Sequence, residues 1–66
     1  MDVTLNNNTI QINESTTVEQ LIMEQNISSK GIAIALNNQV ISKNDWQKTE
    51  LKENDNIIII TATQGG

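Results

Sequence analysis

The sequence predicts an α+β domain in which about five strands form a sheet and one main helix covers one of its faces. Three observations predict it. Apolar and polar residues alternate with period two around Val3–Leu5 and Ile10–Ile12, and large and small apolar residues alternate over Ile32–Leu36. One segment alone, beginning at Val18, carries the 3.6-residue period of an amphipathic helix. Ile57–Ile60 is a run of four β-branched residues, the strongest strand signal in the chain.

The elements follow in order. Val3 and Leu5 alternate with Asp2 and Thr4, and Ile10 and Ile12 alternate with Thr9, Gln11 and Asn13. Asn6-Asn7-Asn8 lies between them, and Asn both tolerates left-handed backbone and imitates backbone groups in turns. The pair reads as a hairpin with Val3, Leu5, Ile10 and Ile12 on one face. Val18, Leu21, Ile22 and Gln25 then sit at i, i+3, i+4 and i+7, so the apolar members form one stripe. Thr16, followed three residues later by Glu19, predicts a capping box, and Glu19 complements the positive end of the helix dipole. Asn26 and Ser28-Ser29-Lys30-Gly31 end the helix, and Ile27 folds back onto the same core.

Ile32, Ile34 and Leu36 alternate with Ala33 and Ala35. Asn37-Asn38 fits a two-residue type I′ turn, both of whose central positions need positive φ, and Gln39-Val40-Ile41 returns as a short strand. Ser42–Gln47 reads as a helical turn with Asn44 as its cap and Trp46 closing an open end of the core. Leu51 leads into the polar turn Lys52-Glu53-Asn54-Asp55, and the isoleucine run follows. The expected core is Val3, Leu5, Ile10, Ile12, Val18, Leu21, Ile22, Ile57 and Ile59.

Composition narrows the function. Sixty-six residues make one domain, and so small a core supplies about 3–5 kcal/mol at most. Little polypeptide is left to enclose a substrate, which argues against an enzyme. Cys and His are absent, which removes zinc fingers, iron–sulfur clusters, disulfides, thiol nucleophiles and the usual acid–base group near neutrality. With no Arg and a single aromatic residue, Trp46, a nucleic-acid surface is not expected. Four Lys against eight acidic residues favour a basic protein partner over phosphate or anionic lipid. Asp45, Glu50, Glu53 and Asp55 lack metal-ligand spacing and read as a solvated face. The longest apolar run, Ile32–Leu36, is too short to span a membrane, and Met-Asp-Val-Thr-Leu has neither the basic nor the apolar region of a signal peptide. A cytoplasmic protein is expected.

Two features remain. Four consecutive isoleucines make both faces of one strand apolar, whereas a one-sided sheet should alternate. One main helix cannot cover both faces. Either neighbouring side chains shield the second face, or a partner does. The second feature is Gly65-Gly66, which follows the best strand without an intervening linker. A tail of this kind is slim enough to enter a narrow channel. In a chain without catalytic side chains, the Gly66 carboxylate is the group that can react. Residues 1–62 are expected to form the domain and 63–66, with Gln64 and Gly65, a flexible tail.

The hairpin, capped helix, three further strands and terminal Gly-Gly resemble the ubiquitin-like β-grasp fold, a mixed sheet with one main helix across it. Leu36-Asn37-Asn38-Gln39-Val40-Ile41, Trp46, Leu51, Asn54-Asp55 and the strand into Gln64-Gly65-Gly66 resemble the ThiS family, the sulfur carrier proteins of thiamine biosynthesis. The resemblance spans the whole chain. Ser42-Lys43 stands where the family often has Pro and a basic residue, and Asn54-Asp55 where Gly-Asp is usual. The β-grasp reading places the first and last strands side by side in parallel at the centre of the sheet.

The resemblance implies a chain that is not itself an enzyme and binds no cofactor. An E1-like adenylyltransferase of the ThiF type uses ATP and Mg²⁺ to convert the Gly66 carboxylate to an acyl-adenylate. Sulfur drawn from cysteine by a desulfurase then gives a Gly66 thiocarboxylate, and thiazole synthase of the ThiG type receives the sulfur. The same resemblance makes the sheet face beside the tail the docking face, which maps to Ile58, Ile60 and Ala62. Three other readings compete: a carrier of the molybdopterin synthase small-subunit type, usually a longer chain; a β-grasp interaction module with an incidental Gly-Gly; and a modifier conjugated to lysines.

Overall fold

The computed structural model describes residues 1–61. The chain order is β1 (Asp2–Leu5), β2 (Asn8–Gln11), helix α1 (Val18–Glu24), β3 (Ile32–Leu36), β4 (Gln39–Ile41), a single 3-10 turn (Lys43–Asp45) and β5 (Asn56–Thr61). The five strands form one sheet in the order β2-β1-β5-β3-β4. β1 and β5 pair in parallel, and the other three pairings are antiparallel. The sheet is therefore mixed, with the first and last strands adjacent at its centre, as the sequence leads one to expect. The expected boundary between domain and tail, after residue 62, lies outside the described residues.

Asparagine makes the tight turns. Asn6 and Asn7 join β1 to β2 with φ of 48° and 71°, and Asn37 and Asn38 join β3 to β4 with φ of 51° and 70°. Few residues other than Gly hold this backbone at so little cost. Asn54 stands at φ 70°, so the residue found where ThiS-like chains usually carry Gly adopts the conformation that Gly would supply.

The helix begins one residue later than its capping signal suggests. Thr17 is the N-cap: its hydroxyl accepts the Gln20 amide, and the Gln20 side chain accepts the Thr17 amide in return. Thr16 is buried instead and donates its hydroxyl to the Asn13 carbonyl at 2.7 Å, which removes it from capping. The amides of Val18 and Glu19 reach the carbonyls of Thr49 and Trp46, so the first helical donors are all satisfied. At the other end Asn26 turns left-handed at φ 58°. Its amide bonds Met23 and that of Ile27 bonds Ile22, which is a Schellman closure. The 3-10 turn starts after Ser42 with no side-chain cap, so Asn44 lies inside it and caps nothing.

The core lies between the helix and one face of the sheet. Val3, Leu5, Ile12, Val18, Leu21, Ile22, Ile34, Trp46, Leu51 and Ile57 are buried. Ile10 and Ile59, expected at the centre, pack against its margin while partly exposed. Ile34, from a strand the sequence marks, and Leu51, from a loop, join it although neither is among the residues expected there. Trp46 closes one end, and its indole N–H donates to the Ile41 carbonyl at 3.1 Å, so its polar atom is satisfied in a buried position. No buried side-chain nitrogen or oxygen among the described residues lacks a partner.

Candidate functional site

β5 presents its two faces to different surroundings. Ile57 is fully buried beneath the helix, whereas Ile60 is 52% exposed. Ile58 is half-buried on the same open face as Ile60. Register puts Ala35 beside Ile58 and Ala33 beside Ile60, and Val40 of β4 beside Ala35. Val40 is 68% exposed. The open face therefore carries a connected apolar strip across β4, β3 and β5. Its other half is polar: Thr4 pairs with Thr9 and with Asn56, and the Thr4 hydroxyl donates to Asn56 Oδ1 at 2.8 Å.

Of the alternatives for the isoleucine run, shielding by neighbours accounts for part. The alanines of β3 leave Ile58 half-covered and Ile60 open. Contiguous exposed apolar patches are a general mark of interaction surfaces.

A scaffold of side-chain hydrogen bonds fixes β5 at its start. Asn37 Oδ1 accepts the Asn56 amide at 2.9 Å, and Asn6 Oδ1 accepts the Ile59 amide at 2.8 Å. Asn6 and Asn37 are marked in the sequence only as turn formers. Their bonds to a strand so distant along the chain have no periodic signature.

On the opposite side of the molecule, a hollow of about 210 Å³ lies between α1 and the 3-10 turn, floored by Ile22, Ile27 and Trp46. Glu19 and Lys43 stand at it, with the Lys43 ammonium 5.9 Å from the centre of the Trp46 ring. Ser29 also lines it, and the chain has no His or Cys to activate or replace its hydroxyl. No group of acidic side chains with metal-binding geometry occurs among the described residues. No helix among them is long and apolar enough to cross a membrane. Ala62, Gln64, Gly65 and Gly66, expected to carry the last part of the docking face and the reacting group, lie outside the described residues.

The pattern of the ThiS family matches residues 2–66, nearly the whole sequence and both terminal glycines. The chain belongs to the ThiS family. It is similar to the sulfur carrier protein ThiS of Escherichia coli (strain K12), with 24% identity over 66 residues and complete coverage of both chains. Its fold is that of a thiamine biosynthesis protein (ThiS) from Geobacter metallireducens seen in a crystal structure, with a TM-score of 0.87, 22% identity and full coverage of both chains. An NMR solution structure of a thiamine biosynthesis protein from the same organism superposes with a TM-score of 0.78 at 23% identity, covering all of this chain and 88% of the other. The β-grasp architecture expected of the sequence is thus shared with ThiS structures.

Proposed function

We propose that this chain is a sulfur carrier whose Gly66 carboxylate is adenylated, converted to a thiocarboxylate and used as the sulfur donor for the thiazole of thiamine. The observation that carries this reading is the family match, which extends through Gly65-Gly66 in a chain with no Cys or His of its own. Its relatives, a sulfur carrier and thiamine biosynthesis proteins, support the thiamine assignment over a molybdopterin one.

The chemistry explains the division of labour. A carboxylate is a poor electrophile, because its charge repels nucleophiles and oxide leaves badly. Attack of a Gly66 oxygen on the α-phosphorus of ATP expels pyrophosphate and gives a neutral acyl carbon with AMP as a good leaving group. The terminal sulfur of a protein persulfide then displaces AMP, and a second thiol cleaves the resulting acyl disulfide, supplying two electrons, releasing the thiocarboxylate and leaving a protein disulfide. The ThiF-type adenylyltransferase supplies the catalytic groups and uses ATP and Mg²⁺, a cysteine desulfurase feeds the sulfur, and a ThiG-type thiazole synthase receives it. The carrier supplies a carboxylate on a slim tether and a docking face of Ile58, Ile60 and Ala62. All of this belongs in the cytoplasm.

Mass spectrometry after incubation with the adenylyltransferase, ATP and a sulfur source tests the reading. Replacement of one terminal oxygen by sulfur at Gly66 is expected. Sulfur located elsewhere, or equal modification of a chain lacking Gly66, overturns it. Transfer of the sulfur to molybdopterin synthase but not to thiazole synthase would move the carrier to the other pathway.

A further inference from the structure

β1 and β5 share only a short ladder. Their parallel pairing joins Thr4 with Asn56 and Leu5 with Ile57, after which β1 turns away into β2, while β5 runs on to Thr61. On its other side β5 pairs with β3 throughout. The Asn37 amide donates to the Asn56 carbonyl at 2.8 Å, and the register Ala35 to Ile58 and Ala33 to Ile60 continues from there. Antiparallel pairing alternates, so the main-chain groups of Asn56, Ile58 and Ile60 face β3, and those of Ile57, Ile59 and Thr61 face the β1 side.

Two hydrogen bonds agree with this assignment. The Asn6 amide donates to the Ile57 carbonyl at 2.9 Å, and the Ile59 amide donates to Asn6 Oδ1 at 2.8 Å. Asn6 therefore extends the ladder by one step with its side chain, at the point where the main chain has already turned. The next two groups along that edge, the Ile59 carbonyl and the Thr61 amide, have no partner among the described residues.

We propose that this stub of β5 is a strand-addition site for an extended segment of the adenylating enzyme. One residue of that segment donates its N–H to the Ile59 carbonyl and accepts the Thr61 N–H, the pattern of a parallel pair in line with β1. The inference rests on the proposed function for its occupant. Residues 62–66 separate Thr61 from the Gly66 carboxylate, and five residues span at most about 17 Å when extended. An enzyme acting on Gly66 thus works within reach of this edge. Ile58 and Ile60 stand on the open face of the same strand, so an added strand lies beside the apolar strip.

The test uses the full chain made by chemical synthesis with N-methylthreonine at position 61, which removes the donor and blocks the edge without touching the β3 side. Affinity for the adenylyltransferase of the same organism is expected to fall at least about threefold, with the urea midpoint unchanged. Thr61→Val, which keeps the N–H, is expected to bind as the unmodified chain does. If N-methylation destabilises the fold, amide exchange of the unmodified chain decides: Thr61 becomes protected in the complex and is unprotected in the free carrier. Unchanged affinity of the N-methyl chain, equal weakening by Thr61→Val, or protection of Thr61 already in the free carrier through self-pairing each overturns strand addition. Adenylation of the unmodified chain is followed in parallel by pyrophosphate release. Its absence would overturn the proposed function and this inference together, whereas normal adenylation with an insensitive edge overturns this inference alone.

Discussion

The carboxamide of Asn37 donates to Asp55 Oδ1 at 3.0 Å. Its oxygen accepts the Asn56 amide, and Asp55 Oδ2 accepts the Lys52 amide at 2.7 Å. The turn between β3 and β4 is thereby tied to the entry of β5, and Asn37 does this from a backbone conformation of positive φ.

Asn37 therefore carries two separable contributions. Asn37→Gly keeps the backbone and loses the side-chain bonds, and it is expected to cost about 1–2 kcal/mol. Asn37→Ala loses the bonds and also places a Cβ in the left-handed region, adding about 1 kcal/mol. Urea unfolding followed by Trp46 fluorescence measures both. Equal costs would show that φ at this position contributes nothing.

Leu21 is completely buried on α1. Leu21→Ala leaves a cavity and is expected to cost about 2–5 kcal/mol, comparable to the whole stability of so small a domain. A loss of a few tenths of a kcal/mol by the same measurement would exclude Leu21 from the core.

The two faces of β5 respond oppositely to charge. Ile60→Asp is expected to leave the urea midpoint near that of the parent chain while weakening binding to the adenylyltransferase at least about tenfold, or 1.4 kcal/mol. Ile57→Asp buries a carboxylate under the helix and is expected to unfold the domain. Titration calorimetry reads the first and circular dichroism the second. A folded Ile57→Asp chain would reverse the assignment of faces.

Substitutions at Gly65 and Gly66 are expected to affect the reaction and not folding. Deleting Gly66, or extending the chain past it, is expected to abolish adenylation, while Gly65→Val slows it by widening the tail and restricting its backbone. All three chains are expected to unfold at the parent urea midpoint. Pyrophosphate release at the parent rate from the chain lacking Gly66 would contradict the role given to its carboxylate.

Local chemistry was the legible part of this fold. Asn6-Asn7 and Asn37-Asn38 declared their turns, because positive φ selects Asn almost as strongly as Gly. The phase of β5, with Ile57 and Ile59 inward, rests on assigning those two to the core, since four isoleucines in a row carry no alternation of their own. The capping box slipped by one residue because Thr16 with Glu19 and Thr17 with Gln20 satisfy the same motif. The choice between them is made by the Thr16 hydroxyl bonding Asn13 and by the Leu51 amide bonding the Thr16 carbonyl, contacts that no local spacing encodes. Leu51 stands alone among polar residues, so its burial has no period to reveal it. Ile34 sat in a well-marked strand whose inward face depended on pairing with Ile59. Of the candidate site, the apolar run was visible in the sequence. The alanines and Val40 that complete the strip became neighbours of Ile58 and Ile60 only through register.

The central place of β5 has a consequence for how the molecule is made. A ribosome emits β1, β2, α1, β3 and β4 first, and these leave a slot in the middle of their own sheet. Only residues 56–61 fill it, pairing with β1 on one side and β3 on the other. A product that stops short of residue 56 has two half-sheets with nothing between them and no means of burying the helix stripe. Such fragments stay open to proteases and never present the Ile58 and Ile60 face. Quality control is thus written into strand order: a chain that has folded has been translated to within a few residues of Gly65-Gly66.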